Sequence, residues 1–276
     1  MQIKILGTAA YERVPAMFCQ CAVCQQARRL KGKNMRTQAQ TLIDDQLLVD
    51  FGQDNYIHYL NSGADYTKIK NILITHTHED HFMPDELRMT TSWFAVNDMT
   101  ENIGIWGNRA SAEKFALITG PKLCDMHIVE AYETFQMGKY TVTALPATHG
   151  TESPLIYILS DGKSTLLYNN DTGVWKEELY EFIAEKKFRL DGVLSDCTHC
   201  FQEGKGVSHL TLLHNCQLRQ RLMEMGVVTE ETKWVITHYS HNALHLKDHP
   251  VTAEELEQIA AEQGMIAAYD GIVITL

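Results

Sequence analysis

The sequence predicts a mixed α/β protein whose sheets are covered by helices. Short apolar, strand-like runs recur along the whole chain. An early pair of them is separated by Asp44-Asp45, which reads as a hairpin turn. Later runs alternate with stretches whose apolar residues fall at helical spacing.

Taken in order, Gln2–Leu6 is the opening strand, and Gln40–Ile43 and Leu47–Asp50 form the hairpin. Ile69–Thr75 follows, then Tyr140–Leu145, Leu155–Leu159 and Ser164–Tyr168. Val174–Lys187 reads as a helix, Gly192–Ser195 as a strand, Leu210–Met225 as a helix and Lys233–Thr237 as a strand. Thr252–Ala261 opens with a capping box, Thr252-x-x-Glu255, and stops at Gly264. Gly271–Leu276 is the last strand.

No repeat, low-complexity segment or linker interrupts this series, so residues 1–276 are expected to form one domain. A content of 45% hydrophobic and 21% charged residues excludes disordered and fibrous classes. No apolar run approaches the roughly 20 residues of a membrane helix. MQIKILGTAA, with one lysine and a short apolar stretch, reads as a strand and not as a signal peptide. A cytoplasmic protein with reduced thiols is therefore expected. The odd count of 7 cysteines also argues against a closed disulfide framework. With 24 basic and 35 acidic side chains the net charge is −11, which gives no general attraction to nucleic acid. The tight basic run Arg28, Arg29, Lys31, Lys33 and Arg36 reads as a solvated face.

The strongest chemical signal is Thr75-His76-Thr77-His78-Glu79-Asp80-His81, directly after the apolar run Ile72-Leu73-Ile74. Residues two apart in an extended segment point to one side, so His76 and His78 can share an ion. Asp80 and His81 follow where the chain turns, within reach of a second ion. Imidazole and carboxylate suit zinc and similar divalent ions. The same arrangement, apolar strand and then a ligand-type residue, recurs at His149, Asp171 and His238. Binding and catalytic residues concentrate at such strand ends.

A second signal is Cys19-Gln20-Cys21-Ala22-Val23-Cys24. Clustered thiols in a reduced protein point to a thiolate metal site, and closed zinc sites take a fourth ligand. His241 is the best-spaced candidate, with His245 and His249 as alternatives. Cys124, Cys197, Cys200 and Cys216 lack ligand spacing and read as ordinary reduced thiols.

The histidine pattern resembles the metallo-β-lactamase superfamily, whose motif is His-x-His-x-Asp-His followed downstream by His, Asp and His. The resemblance runs over essentially the whole chain. It implies an αββα four-layer sandwich with the metals at one edge of two central sheets. It implies that one ion takes His76, His78 and His149, that the other takes Asp80, His81 and His238, and that Asp171 bridges them. Asp50 matches an aspartate of an earlier motif and would orient a loop or a ligand histidine. Two zinc or manganese ions so placed lower the pKa of a bridging water and clamp a phosphodiester or carbonyl oxygen. The resulting hydroxide is the nucleophile, and Asp80 belongs to the catalytic set.

Cys-x-Cys-x2-Cys early and Thr237-His238-Tyr239-Ser240-His241 late resemble the phosphoribosyl cyclic phosphodiesterase branch of that superfamily. So do Leu6-Gly7-Thr8, Val14-Pro15-Ala16, Ser195-Asp196-Cys197-Thr198-His199 and Tyr269-Asp270-Gly271. The branch resemblance implies a structural zinc on Cys19, Cys21, Cys24 and His241. It implies that His199 reaches the substrate phosphate or protonates the leaving oxygen, and that the protein is a homodimer acting on a small phosphodiester. The chain departs from the branch at Ala9-Ala10, where glycines are common, and over residues 82–101. That stretch would wall the pocket, with Met83, Met89, Trp93 and Phe94 shaping specificity or, more simply, packing into the core.

Three other functions are open to a chain of this kind. A tRNA 3′-processing endonuclease would need a basic, glycine-rich arm that this acidic chain lacks. A pyrroloquinoline-quinone-biosynthesis-like protein would not need the full hydrolase ligand set. A lactone or other ester hydrolase would use the same ligands.

Overall fold

The computed structural model describes residues 1–96, 101–120, 122–247 and 249–276. The chain enters on β1 (Gln2–Gly7), passes the cysteine cluster into α1 (Ala22–Leu30), and forms the hairpin β2 (Gln40–Ile43) and β3 (Leu47–Val49). Asp44 and Asp45 make the turn with φ of 48° and 56°, as a tight hairpin requires. Helix α2 (Asn55–Ser62), β4 (Asn71–Leu73), β5 (Ile103–Gly107), α3 (Arg109–Ala116) and β6 (Cys124–Ile128) complete the first half. The second half runs β7 (Thr134–Met137), β8 (Tyr140–Pro146), β9 (Leu155–Ser160), β10 (Thr165–Asn169), α4 (Glu177–Lys186), β11 (Gly192–Asp196), α5 (Leu212–Glu224) and β12 (Lys233–Thr237). It closes with β13 (His245–Leu246), β14 (His249–Pro250), α6 (Ala253–Glu262), β15 (Ile266–Ala267) and β16 (Val273–Thr275).

Two seven-stranded sheets result, in the orders β16-β1-β2-β3-β4-β5-β6 and β15-β12-β11-β10-β9-β8-β7. Alternation along each strand explains their stacking. Leu47, Val49, Leu166, Tyr168 and Val235 face the space between the sheets. Leu48, Ile72 and Ile105 face outward beneath Phe115 of α3. Leu167, Val193, Trp234 and Ile236 face outward beneath Leu179, Leu218 and Leu256 of α4, α5 and α6. Strands buried on both faces read as continuous apolar runs, which is why the central ones were legible. The layers are helix, sheet, sheet, helix, the αββα sandwich expected. Among the described residues, no helix is long and apolar enough to cross a membrane.

The basic run is not the solvated face its composition suggests. Arg36 is buried, donates to Thr8 Oγ1 at 2.9 Å and to the Ala268 carbonyl at 2.7 Å, and lies over the Tyr239 ring. Arg28 donates to the carbonyls of Ala16 and Cys19, and Lys33 pairs with Glu257 at 2.7 Å. These cations staple the N-terminal segment to the body of the chain. Core packing fails for part of the 82–101 stretch, whose residues 97–100 lie outside the described residues. Trp93 is 72% exposed, and Met89 and Phe94 are also exposed.

His58 of α2 is buried, with Nδ1 2.7 Å from Gln40 Oε1 and Nε2 2.9 Å from Thr37 Oγ1. Burial pushes its pKa down to about 4. The unfolded imidazole takes a proton near pH 6.5, so stability is lost as pH falls below that value. From this group alone the loss between pH 7 and pH 5 is roughly 2 kcal/mol. Urea unfolding at the two pH values should show a smaller pH shift in His58→Gln than in the wild type. Equal shifts would count against this role.

Candidate active site

In the second sheet β10, β11, β12 and β15 run in parallel, and β8 points the same way because two antiparallel pairings separate it from β10. In the first sheet β3 and β4 are also parallel. Their C-terminal ends gather Asp50 after β3, His76–His81 after β4, His149 after β8, Asp171 after β10, Asp196 at the end of β11 and His238 after β12. Ligands in sheet folds bind at this kind of edge. Asp50, Asp171 and His238 adopt φ of 67°, 48° and 64° as the chain leaves each strand. Such conformations cost about 1–3 kcal/mol for a residue with a Cβ and cluster at functional sites.

His76, His78 and His149 form one group of donor atoms, and Asp80, His81, Asp171 and His238 form an adjacent one. His78 Nδ1 lies 3.0 Å from His76 Nε2 and 3.2 Å from His149 Nε2. His81 Nε2 lies 3.1 Å from Asp80 Oδ2 and 3.3 Å from His238 Nε2. Asp171 stands between the groups. Its Oδ2 is 3.2 Å from His81, 3.6 Å from His76 and 3.7 Å from His149, and its Oδ1 is 2.9 Å from His238.

These residues fit divalent ions. Two ligands bonded at about 2.0–2.1 Å to a tetrahedral zinc stand about 3.3–3.4 Å apart, close to the separations here. Asp80 Oδ1 is buried without a hydrogen-bond partner, an orphan that a cation would satisfy. The charges agree with this. Burial and neighbouring His81 keep His76 well below the ordinary imidazole pKa, and burial lowers His149 too, which favours the neutral rings that a metal would need. Burial opposes charge on Asp171, yet His238 and His81 hold its carboxyl well below the usual range. Burial opposes charge on His238 as well, but Asp171 and Asp80 raise it to about 10. The carboxylates thus create a field that draws cations.

Outer partners fix the rings. His81 Nδ1 lies 2.7 Å from Asp50 Oδ2, and His76 Nδ1 lies 3.0 Å from Thr75 Oγ1, which itself bonds Asp50. His149 Nδ1 donates to the Ser208 carbonyl at 3.1 Å. Such partners set which ring nitrogen is left for a metal.

The cysteine cluster meets His241 as expected. Cys19 Sγ and Cys21 Sγ lie 3.6 Å and 3.4 Å from His241 Nδ1, and Cys24 completes the group. A tetrahedral zinc with Zn–S near 2.3 Å and Zn–N near 2.05 Å would put S and N about 3.5 Å apart. The cluster straddles the start of α1, where Cys21 Sγ accepts from the Cys24 amide at 3.4 Å. The Cys21 amide and the thiol beside it lower the pKa of Cys19. His245 is exposed, and His249 pairs with Glu255 at 3.0 Å.

The two groups of ligand-type residues open into a cavity of about 1060 Å³, lined also by Glu12, Thr198, His199, Lys205 and His209. Residues Met89, Trp93 and Phe94 do not line it. His209 was not legible in the sequence. Its Nδ1 lies 2.7 Å from Asp196 Oδ2, and its ring lies 4.9 Å from that of His149 and 5.6 Å from that of His238. Burial would lower His209, but Asp196 carries it above the ordinary imidazole value. His199 stacks edge-on against His209 at 5.4 Å, and burial and the charge of His209 lower it. Asp196 ends a strand like the other site acids, which could have marked it. Nothing local in Val207-Ser208-His209 marks its partner.

A family model described as a beta-lactamase superfamily domain matches residues 46–239. The chain belongs to the beta-lactamase superfamily. Solved structures agree on the superfamily fold. A diphosphatase from the PhnP family is 20% identical with a TM-score of 0.74, covering 100% of this chain and 97% of its own. Zn(2+)-bound PqqB from Methylobacterium extorquens is 16% identical with a TM-score of 0.71, covering 100% of both chains. The short form of human tRNase Z is 15% identical with a TM-score of 0.67, covering 100% of this chain and 99% of its own. No curated protein sequence matches the chain. Superfamily membership and the clustered ligand-type residues make this chain a metal-dependent hydrolase.

Proposed function

We propose that this hydrolase is a dinuclear zinc or manganese phosphodiesterase for a small cyclic or diester phosphate. The observation that carries this is the Asp196–His209 pair, a carboxylate-held imidazole on the cavity beside the two groups of ligand-type residues. In this proposal His76, His78 and His149 hold one ion, Asp80, His81 and His238 hold the other, and Asp171 bridges. Bound ions would supply Lewis acidity and an acidified water. The chain's own residues do the rest. His209, held by Asp196, gives a proton to the leaving oxygen, which an alkoxide leaving group demands. His199 meets the substrate phosphate, with Lys205 as a cation on the same wall. Cys19, Cys21, Cys24 and His241 hold a structural zinc that ties the N-terminal segment to the loop after β12.

The fold shared with a structure described as a diphosphatase is consistent with phosphate chemistry. A nucleic-acid substrate fits poorly with a net charge of −11, since backbone binding needs a basic stripe. A cytoplasmic location belongs to the proposal, since thiols such as Cys19, Cys21 and Cys24 stay reduced there and can hold zinc. A homodimer completes the proposal, with light scattering as its check.

The substrate class is tested by assaying the zinc- and manganese-loaded protein on bis(p-nitrophenyl) phosphate, a cyclic alkyl phosphate, a lactone and a pre-tRNA. Turnover of the two phosphates alone is expected. Turnover of the lactone alone, or of the pre-tRNA alone, would overturn the assignment.

A further inference from the structure

The hydroxyl of Thr198 touches both a candidate metal ligand and the candidate proton donor. His238 turns Nε2 toward Asp171, Asp80 and His81, the side where an ion would lie. A ligating imidazole is neutral with its lone pair on that nitrogen, so its hydrogen sits on Nδ1. That Nδ1 lies 2.7 Å from Thr198 Oγ1, which accepts. A hydroxyl has one hydrogen to give, and Asp196 Oδ2 at 3.2 Å receives it. The His209 Nδ1–H donates to the same carboxylate oxygen at 2.7 Å, leaving Nε2 for the cavity. Asp196 Oδ1 is held in turn by the amides of Thr198 and Leu210, at 2.9 and 3.0 Å. Thr198 Oγ1 also lies 3.1 Å from His209 Nδ1, whose hydrogen goes to Asp196 by the shorter contact.

The other side of the site repeats the arrangement. The Thr75 amide bonds Asp50 Oδ1 at 2.8 Å, and Thr75 Oγ1 bonds the same carboxylate. His76 Nδ1 meets Thr75 Oγ1 at 3.0 Å, and His81 Nδ1 meets Asp50 Oδ2 at 2.7 Å. There the threonine and aspartate lock two ion-binding histidines to each other. At Thr198 and Asp196 the same device links His238 to His209, the histidine that faces the cavity.

We infer that Thr198 is a positioning residue that couples metal binding to proton delivery. It fixes the tautomer of His238 and, through Asp196, the orientation of His209. The inference rests on the hydrolase proposal above, and its test separates the two.

The test compares Thr198→Val, which keeps shape and removes the hydroxyl, with Thr198→Ser, which keeps the hydroxyl. Zinc affinity is read by competition with a chromogenic chelator. Turnover is read at saturating zinc on bis(p-nitrophenyl) phosphate and on a cyclic alkyl phosphate, whose leaving group needs a proton. Thr198→Val is expected to lose about 10–100-fold in affinity for one ion. It is also expected to keep a deficit on the alkyl substrate that excess zinc does not repair. Thr198→Ser is expected to stay within about threefold of the wild type on both, since the hydroxyl that carries the coupling remains. Unchanged zinc affinity in Thr198→Val would overturn the inference. So would turnover on both substrates restored in full by zinc, because the coupling would then be absent. If Thr198→Val does not fold, Thr198→Ala takes its place beside the serine variant. If the wild type hydrolyses neither phosphate, the phosphodiesterase proposal fails. The chelator competition then decides the inference alone, by loss without the hydroxyl and retention with serine, or by equal affinities.

Discussion

Replacing Asp171 with alanine is expected to abolish hydrolysis and to break the link between the two ion-binding groups. The Asp171 carboxylate approaches His76, His81, His149 and His238, which belong to both groups. Outer partners of metal ligands are worth 10–100-fold, so loss of a bridging carboxylate should cost roughly a thousandfold or more in turnover. Because Asp171 sits at φ 48°, alanine adds backbone strain there that asparagine tolerates better. Asp171→Asn is therefore the sharper variant, keeping shape and losing charge. Metal content per chain and turnover of bis(p-nitrophenyl) phosphate are measured together. If Asp171→Asn keeps its ions and its rate, the bridging role is wrong.

His209→Ala should separate substrates by leaving group. General acid catalysis is typically worth 10²–10⁴-fold, but only where the leaving oxygen needs a proton. A cyclic alkyl phosphate should lose about that factor, whereas a p-nitrophenyl ester, which leaves as a stable anion, should lose little. Metal content should stay unchanged if His209 is a proton donor, whereas loss of an ion would assign it to the further group of ligand-type residues that it forms with Asp171, Asp196 and His238. Asp196→Asn should show the same split between substrates, because it removes the charge that raises the pKa of His209. Equal losses on the two substrates would assign His209 to binding. Should His199→Ala show the leaving-group split instead, the proton donor would be His199.

The sequence revealed the site more fully than the fold that carries it. His76 to His81, His149, Asp171 and His238 each follow an apolar strand, and strands buried on both faces leave an unbroken apolar record. The double layer of sheet came from the resemblance, since Leu47 and Leu48 look alike in sequence while facing opposite cores. Helices α1, α2 and α3 were missed. Ala22 and Asn55 begin short helices of 9 and 8 residues, too brief for a clear periodic pattern. Arg36 was misread because charge alone does not show burial, and its partners, Thr8 and Ala268, lie far away in sequence. His209 escaped for the same reason: what holds it at the site is Asp196 across a loop.

The central claim is that the histidine–carboxylate groups hold two exchangeable ions that support hydrolysis, beside a third held by the cysteines. Metal analysis of the purified chain, before and after dialysis against a chelator, with bis(p-nitrophenyl) phosphate turnover read on each sample, tests it most directly. The expected result is about three ions per chain. Two should leave on dialysis together with all turnover, and both should return when zinc or manganese is restored. A single ion that dialysis does not remove, with no hydrolysis at any metal concentration, would contradict it.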